Sequence, residues 1–246
     1  MYIINILYFI SGLIIGSFIN VIIYRIPKSL SIIKPRSFCP LCKNKIPLYR
    51  NIPIISFCLQ RGKCANCKNK ISLLYPTIEL TIGILWLIAS MYFNTLNEIL
   101  YFSIIATILI AISIIDYKYF IIPIELSITA LTFITISLCL TQNFLNHIDG
   151  LIIGTGYLSA IFLLTWALTK RQGLGLGDIQ LVLILGYWLG DLRIFLVIFL
   201  SALLALIFWC ILSLIKGYDN KRALPFGTFL SITAILVYPI KINIFI

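Results

Sequence analysis

The sequence predicts an all-α polytopic membrane protein with about eight transmembrane helices and one long cytoplasmic loop after the first. Two observations predict it at once, and a third sharpens it. Of the 246 residues, 61% are hydrophobic and only 11% charged, and the mean hydropathy is +1.08. A soluble domain carries about 25% charged residues, so this chain lacks the charge to coat a water-facing surface of its size. A cytosolic enzyme, a secreted disulfide scaffold and a disordered chain are excluded as readings of the whole. The charge present is also unevenly placed. Residues 25–73 contain Arg25, Lys28, Lys34, Arg36, Lys43, Lys45, Arg50, Arg61, Lys63, Lys68 and Lys70, with no acidic residue among them. That excess fits a cytoplasmic loop under the positive-inside rule. It does not fit nucleic-acid binding, because no aromatic stacking pattern interleaves the charges.

The elements follow in order. Residues 2–24 form an uncharged apolar run long enough to cross about 30 Å of hydrocarbon. It reads as a retained span, since no basic stretch precedes it and no small-x-small cleavage site ends it. After the basic loop, the expected spans are 74–93, 99–115, 121–141, 150–169, 179–190, 194–215 and 224–240. They are separated by polar breaks at Asn94–Glu98, Asp116–Lys118, Gln142–Asp149, Lys170–Asp178, Gly190–Arg193 and Lys216–Arg222. The expected organisation is therefore a first transmembrane helix (1–24), a basic cytoplasmic loop (25–73) and a transmembrane bundle (74–246). Sidedness has an independent check. With the loop inside, Lys118, Lys170, Arg171, Lys216, Lys221 and Arg222 also fall inside, and Arg193, Lys241, Glu98, Asp149 and Asp191 outside. Both chain ends then lie outside the cytoplasm.

The third observation is the spacing of cysteines. Cys39-Pro-Leu-Cys42 and Cys64-Ala-Asn-Cys67 are two C-x-x-C turns, each able to aim two thiolates at one centre. Together they make a closed tetrahedral shell for Zn²⁺, and the closure implies a structural role. A loop this polar has little core of its own, so a metal would help it fold. Two disulfides or a redox pair are the alternatives; disulfides suit a reducing cytoplasm poorly, and the many nearby Lys and Arg residues favour thiolate. The loop is expected to be zinc-ribbon-like. Cys58, Cys139 and Cys210 are expected to serve packing.

Among eight acidic residues, Glu98, Asp149, Asp191 and Asp219 fall in expected short loops, where a solvated charge needs no function. Asp116 and Asp178 do not. Asp116 ends the third span, and Asp178 opens the sixth in Gly173-Leu-Gly-Leu-Gly-Asp178. Both sit at cytoplasmic helix ends, where a carboxylate near hydrocarbon is costly. The plain alternative is that they are helix caps. Brought together, two carboxylates do not both ionise easily, so one can activate water while the other polarises a carbonyl. That is the chemistry of an aspartic peptidase.

At this point the chain resembles the type IV prepilin peptidases, the GxGD-type intramembrane aspartic peptidases. The resemblance runs nearly end to end. It begins with Gly12-Leu-Ile-Ile-Gly16-Ser17-Phe18-Ile-Asn20 and continues through both C-x-x-C pairs and Tyr75-Pro76-Thr-Ile-Glu79. It ends with Gly175-Leu-Gly177-Asp178 and Pro225-Phe226-Gly227-Thr228-Phe229-Leu. It implies that Asp116 and Asp178 are catalytic and that the substrates are prepilins or secretion pseudopilins. Their basic leader would be cut after a glycine, at the cytoplasmic face of the bacterial inner membrane. It further implies methylation of the new N-terminus from S-adenosylmethionine. A site for that donor is expected between the basic loop and the first two spans, where Asn20, Arg25 and Glu79 lie; helix packing is the competing role for all three. Three positions depart from the family pattern: Ile124 replaces a usual Asp, Gln180 a usual Lys and Thr228 a usual Pro.

Two other classes compete with the peptidase. In an ion or proton transporter, Asp116 and Asp178 would line a pathway and the ribbon would be a docking module. In a non-catalytic assembly factor, only the cysteines would matter. His147 is expected to be a solvated loop residue, and the four tryptophans to pack spans or line the interfacial belt.

Overall fold

A computed structural model describes residues 2–141, 144–170, 175–219 and 222–240. Arg171, Gly173, Lys221 and Lys241, used above for sidedness and motif, lie outside the described residues. Among the described residues the regular elements are helices, with no β-strand and two isolated β-bridges in the basic loop. Among the described residues five helices are long and apolar enough to cross a membrane, and three shorter apolar helices accompany them. Five of the expected spans thus fall on the long helices, and those expected at 121–141, 179–190 and 224–240 fall on the shorter ones. The chain divides into two compact units, Met1–Thr107 and Ile108–Ile246.

In the first unit, α1 (Tyr2–Arg25) packs along α3 (Leu74–Tyr92). Small residues bring the two helices together. A Cβ added at Gly12 would lie 2.8 Å from the Ile82 carbonyl oxygen, and one at Gly16 would lie 2.8 Å from Glu79 Cα. Gly12 and Gly16 are one helical turn apart, the small-xxx-small spacing that lets two backbones approach in lipid, where apolar burial gives no drive of its own. Between these helices the basic loop carries the short α2 (Ile55–Leu59). The unit ends in the first half of α4 (Leu96–Tyr119), where Trp86 Nε1 donates to Thr107 Oγ1 at 3.1 Å.

The second unit is built around α7 (Leu176–Leu189), whose residues Leu181, Val182, Leu185 and Trp188 are buried. It packs against α5 (Ile124–Thr141), α6 (Phe144–Thr169), α8 (Asp191–Lys216) and α9 (Phe226–Val237). Gly150 of α6 meets Gly186 of α7 backbone to backbone. Tyr238 stacks on Trp188 at 4.5 Å. Outward faces carry exposed Leu163, Leu164, Phe199, Leu206 and Leu214, as lipid-facing surfaces do.

Several boundaries differ from expectation, and each has a local cause. Glu98 is not in a loop: it lies in the first turn of α4, where its carboxylate and Thr95 form a capping box. Asp116 does not end α4, which continues to Tyr119 and stops where Phe120 turns left-handed, at φ +55°. His147 and Asp149 are helical, because α6 begins at Phe144. His147 is half-buried rather than solvated, and its Nδ1 lies 2.9 Å from the Tyr187 carbonyl oxygen. Asp191 likewise falls in a helix, since the expected break narrows to Gly190 at φ +82°. Cys58, Cys139 and Cys210 are exposed rather than packed; in the apolar helices of Cys139 and Cys210 a thiol is apolar enough to face lipid as readily as a core.

Candidate active site

Asp116 is placed one turn from the end of α4 and is 5% exposed. Asp178 occupies the third position of α7, and its Oδ2 reaches back to the backbone N–H of Gly175 at 3.1 Å. This is the capping interaction the plain reading anticipated. It does not exhaust the site. The two carboxylates line one cavity of about 200 Å³, walled by Phe120, Ile122, Leu224 and Phe226. They act on each other electrostatically.

The first turn of α9 holds both. The backbone N–H of Gly227 faces the Asp178 carboxylate. The next N–H, that of Thr228, donates to Asp116 Oδ2 at 2.7 Å, and the Thr228 hydroxyl lies 3.1 Å from the same oxygen. A helix N-terminus presents unpaired N–H groups and favours negative charge. Two consecutive residues thus hold two carboxylates drawn from separate helices. A side chain at Gly227 would crowd this approach, because a Cβ there would stand 3.1 Å from Asp116 Oδ2 and 2.8 Å from Ile122 Cδ1.

The departures noted in the sequence find places here. Thr228 donates to Asp116, as no proline N–H could. Gln180 Nε2 donates to Ser127 Oγ at 2.6 Å, tying α7 to α5. Ile124 is exposed at the start of α5.

The first unit holds a second polar site. A cavity of about 380 Å³ is lined by Ser17, Asn20, Arg25, Tyr75 and Glu79, together with ribbon residues. Asn20 Nδ2 donates to the Tyr75 carbonyl at 3.0 Å. Glu79 Oε2 accepts the Ile54 N–H at 2.8 Å, holding a β-branched residue at φ +58°, a conformation such residues rarely adopt. Arg25 has a different role from that of a ligand group. Its guanidinium donates to the carbonyls of Ser31, Ile32, Pro35 and Arg36 at 2.7–3.4 Å, so its donors are spent on the loop backbone.

The four ribbon sulfurs lie within 4.8 Å of one another, and Cys39 Sγ and Cys67 Sγ are 3.9 Å apart. Tetrahedral ligands at about 2.3 Å from zinc stand about 3.8 Å apart, so the set fits that ion. The two turns are equivalent: Cys39 N–H donates to Asn44 and Lys43 N–H to Cys39, just as Cys64 pairs with Asn69 and Lys68 with Cys64. The Asn44 backbone N–H, above all, brings Cys42 down to about 6. Backbone N–H groups of Cys67 and Asn66 lower Cys64. At Cys67 the Asn69 N–H also favours the thiolate, but desolvation and the other three sulfurs outweigh it and push it up to about 11. Four clustered thiols resist full ionisation until a cation sits among them.

Residues 10–93 match the Bacterial Peptidase A24 N-terminal domain, and residues 103–210 match the Type IV leader peptidase family. Over 232 residues the chain is 32% identical to the prepilin leader peptidase/N-methyltransferase of Bacillus subtilis (strain 168), covering 94% of this chain and 92% of that one. The chain belongs to the type IV leader peptidase family. A second relative in the family, from Aeromonas salmonicida (strain A449), carries the same name and is 30% identical over 261 residues, or 92% of this chain and 87% of that one. A third, from Myxococcus xanthus (strain DK1622), is 30% identical over 183 residues; the chain spans 55% of its length. No solved structure matches the chain. Family membership gives no support to a transporter.

Two features escaped the sequence reading. The eight-residue pattern Cys-x-x-Cys-Lys-Asn-Lys-Ile occurs twice, at 39–46 and 64–71, and its repetition signals two equivalent turns. The grip of α9 on both aspartates had only a faint signal, the substitution at position 228.

Proposed function

We propose that this protein is a membrane aspartic endopeptidase that removes the basic leader from type IV prepilins or secretion pseudopilins, with Asp116 and Asp178 as its catalytic pair. One observation carries the reading: both carboxylates open on one small cavity, each held by an N–H from the first turn of α9. In this reading one ionised carboxylate takes a proton from a water molecule, whose oxygen attacks the scissile carbonyl carbon. The other, protonated, donates to the carbonyl oxygen as negative charge develops there. Collapse of the tetrahedral intermediate breaks the C–N bond, and the proton held by the base passes to the departing amine. The apolar walls of Phe120, Ile122, Leu224 and Phe226 keep bulk water from the pair. The positive charge at these helix ends supports a site at the cytoplasmic face of a bacterial inner membrane.

The cavity of the first unit supports a second activity, N-methylation of the new terminus. S-adenosylmethionine supplies an electrophilic methyl group when bound. The volume lies within the usual range of about 300–1,000 Å³ for small-molecule sites. Ser17, Asn20 and Glu79 offer it polar groups, and the Glu79 carboxylate suits a cationic ligand. Cys39, Cys42, Cys64 and Cys67 would hold a structural Zn²⁺ that keeps the ribbon wall of this cavity folded.

The test is incubation of the purified protein with a prepilin and the methyl donor, read by mass spectrometry. Loss of the leader and gain of one methyl mass are the expected products. An intact prepilin would reject the peptidase assignment, and a cleaved but unmethylated one would reject the second activity alone. Equilibrium binding of labelled S-adenosylmethionine to the Glu79→Gln variant tests the cavity without relying on turnover.

A further inference from the structure

We propose that Thr228 is the positioning residue of the aspartate site: it ties back Oδ2 of Asp116, so that Oδ1 is the oxygen turned to the cavity. This rests on the reading of Asp116 and Asp178 as the catalytic pair. Thr228 is buried at the third position of α9 and offers two donors to one carboxylate oxygen, its N–H at 2.7 Å and its hydroxyl at 3.1 Å. Among the described residues no other donor reaches the Asp116 carboxylate. The same hydroxyl lies 2.9 Å from the Ser113 carbonyl oxygen, one turn earlier on α4. Thr228 therefore spans two successive turns of α4 and holds the start of α9 against the carboxylate.

A hydroxyl has one hydrogen, and here it has two acceptors. A carbonyl oxygen can only accept. A carboxyl oxygen accepts when ionised and can donate when protonated. The hydroxyl can therefore donate to Asp116 in its charged state. Once Oδ1 has taken up a proton, Oδ2 is a carbonyl-type oxygen and still accepts from Thr228. Either way the interaction survives the proton changes that a general base undergoes in each turnover. The N–H alone leaves the carboxylate a broad torsion, since rotation about an sp³–sp² bond has shallow wells. With both donors the rotation is fixed. Among the described residues Asp178 has no such adaptable partner, its donors there being the backbone N–H groups of Gly175 and Gly227. A change of side chain at 228 thus acts on one aspartate and spares the other.

Serine keeps the hydroxyl, whereas valine keeps the shape and the N–H but loses it. For the purified full-length protein acting on a basic-leader peptide with a hydrophobic tail, Thr228→Val should lower kcat about ten-fold, as the absence of one hydrogen bond to a charged group would, with KM unchanged within about two-fold. Thr228→Ser should recover kcat to within about three-fold of the starting protein. If the valine protein does not fold, Thr228→Ala removes the same hydroxyl and takes its place. Undiminished kcat in the valine or alanine protein overturns the proposal, as does a serine protein that falls as far as they do. Asp116→Asn is assayed in parallel. If it cleaves normally, the catalytic reading fails and the role of Thr228 with it; if it is inactive while Thr228→Val is unaffected, only the role of Thr228 fails.

Discussion

Arg25 in the first unit and Asp116 in the second are both charged, both near the end of a long apolar helix, and both almost wholly buried, at 4% and 5% exposed. They differ in how their hydrogen-bonding capacity is used. Arg25 gives its guanidinium donors to four carbonyls of a single stretch of loop. Asp116 has one oxygen engaged by Thr228, and its carboxylate lines a cavity together with Asp178. A buried charge with its hydrogen bonds spent on backbone holds a fold in place. One with part of its valence open to a cavity is held ready for chemistry. Glu79 lies between these cases, tied to Ile54 yet lining the larger cavity.

That contrast can be broken or sharpened by substitution. The largest effect is expected at the open carboxylates. Asp116→Asn or Asp178→Asn keeps the shape but cannot shuttle a proton, and leader removal should fall by about 10²–10⁴-fold while the melting temperature barely moves. Cys39→Ser should come next, losing bound zinc by elemental analysis and opening the 30–70 stretch to protease, because the ribbon has little other core. Arg25→Lys keeps the charge but cannot reach four carbonyls with one ammonium. It should destabilise the first unit by about 2 kcal/mol, read as a lower unfolding temperature, with kcat for cleavage retained. The smallest effect belongs to Glu79→Gln. Removing its negative charge should weaken binding of the cationic methyl donor about ten-fold and leave cleavage within about two-fold, the scale of a single charge-assisted hydrogen bond to a ligand. A cleavage defect in Arg25→Lys matching that of Asp116→Asn would erase the distinction.

Much of this is legible in the sequence. The apolar segments and the two unusual aspartates stand out because hydrocarbon tolerates little charge, so each polar residue in it is conspicuous, and the four clustered cysteines stand out by their paired C-x-x-C spacing. The position of Asn20, Arg25 and Glu79 beside one cavity also follows from their depth along two spans and the loop between them. What each of them does there does not follow. Arg25 satisfies backbone carbonyls up to eleven residues away, and no local pattern announces which carbonyls a loop will turn inward. Thr228 and Asp116 are 112 residues apart, and their pairing depends on how α9 meets α4, which periodicity does not encode. His147 and Asp149 look like loop residues because polar character suggests a break, whereas helix α6 runs on through them.

The central claim is that Asp116 and Asp178 act as one unit on a peptide bond, and the direct test is mass spectrometry of a prepilin after incubation with the wild-type, Asp116→Asn, Asp178→Asn and doubly substituted proteins. The account predicts leader loss with the wild type alone, and a double variant no worse than either single one. Contradiction would come from normal processing by either single variant, or from two partial losses that multiply as independent sites would.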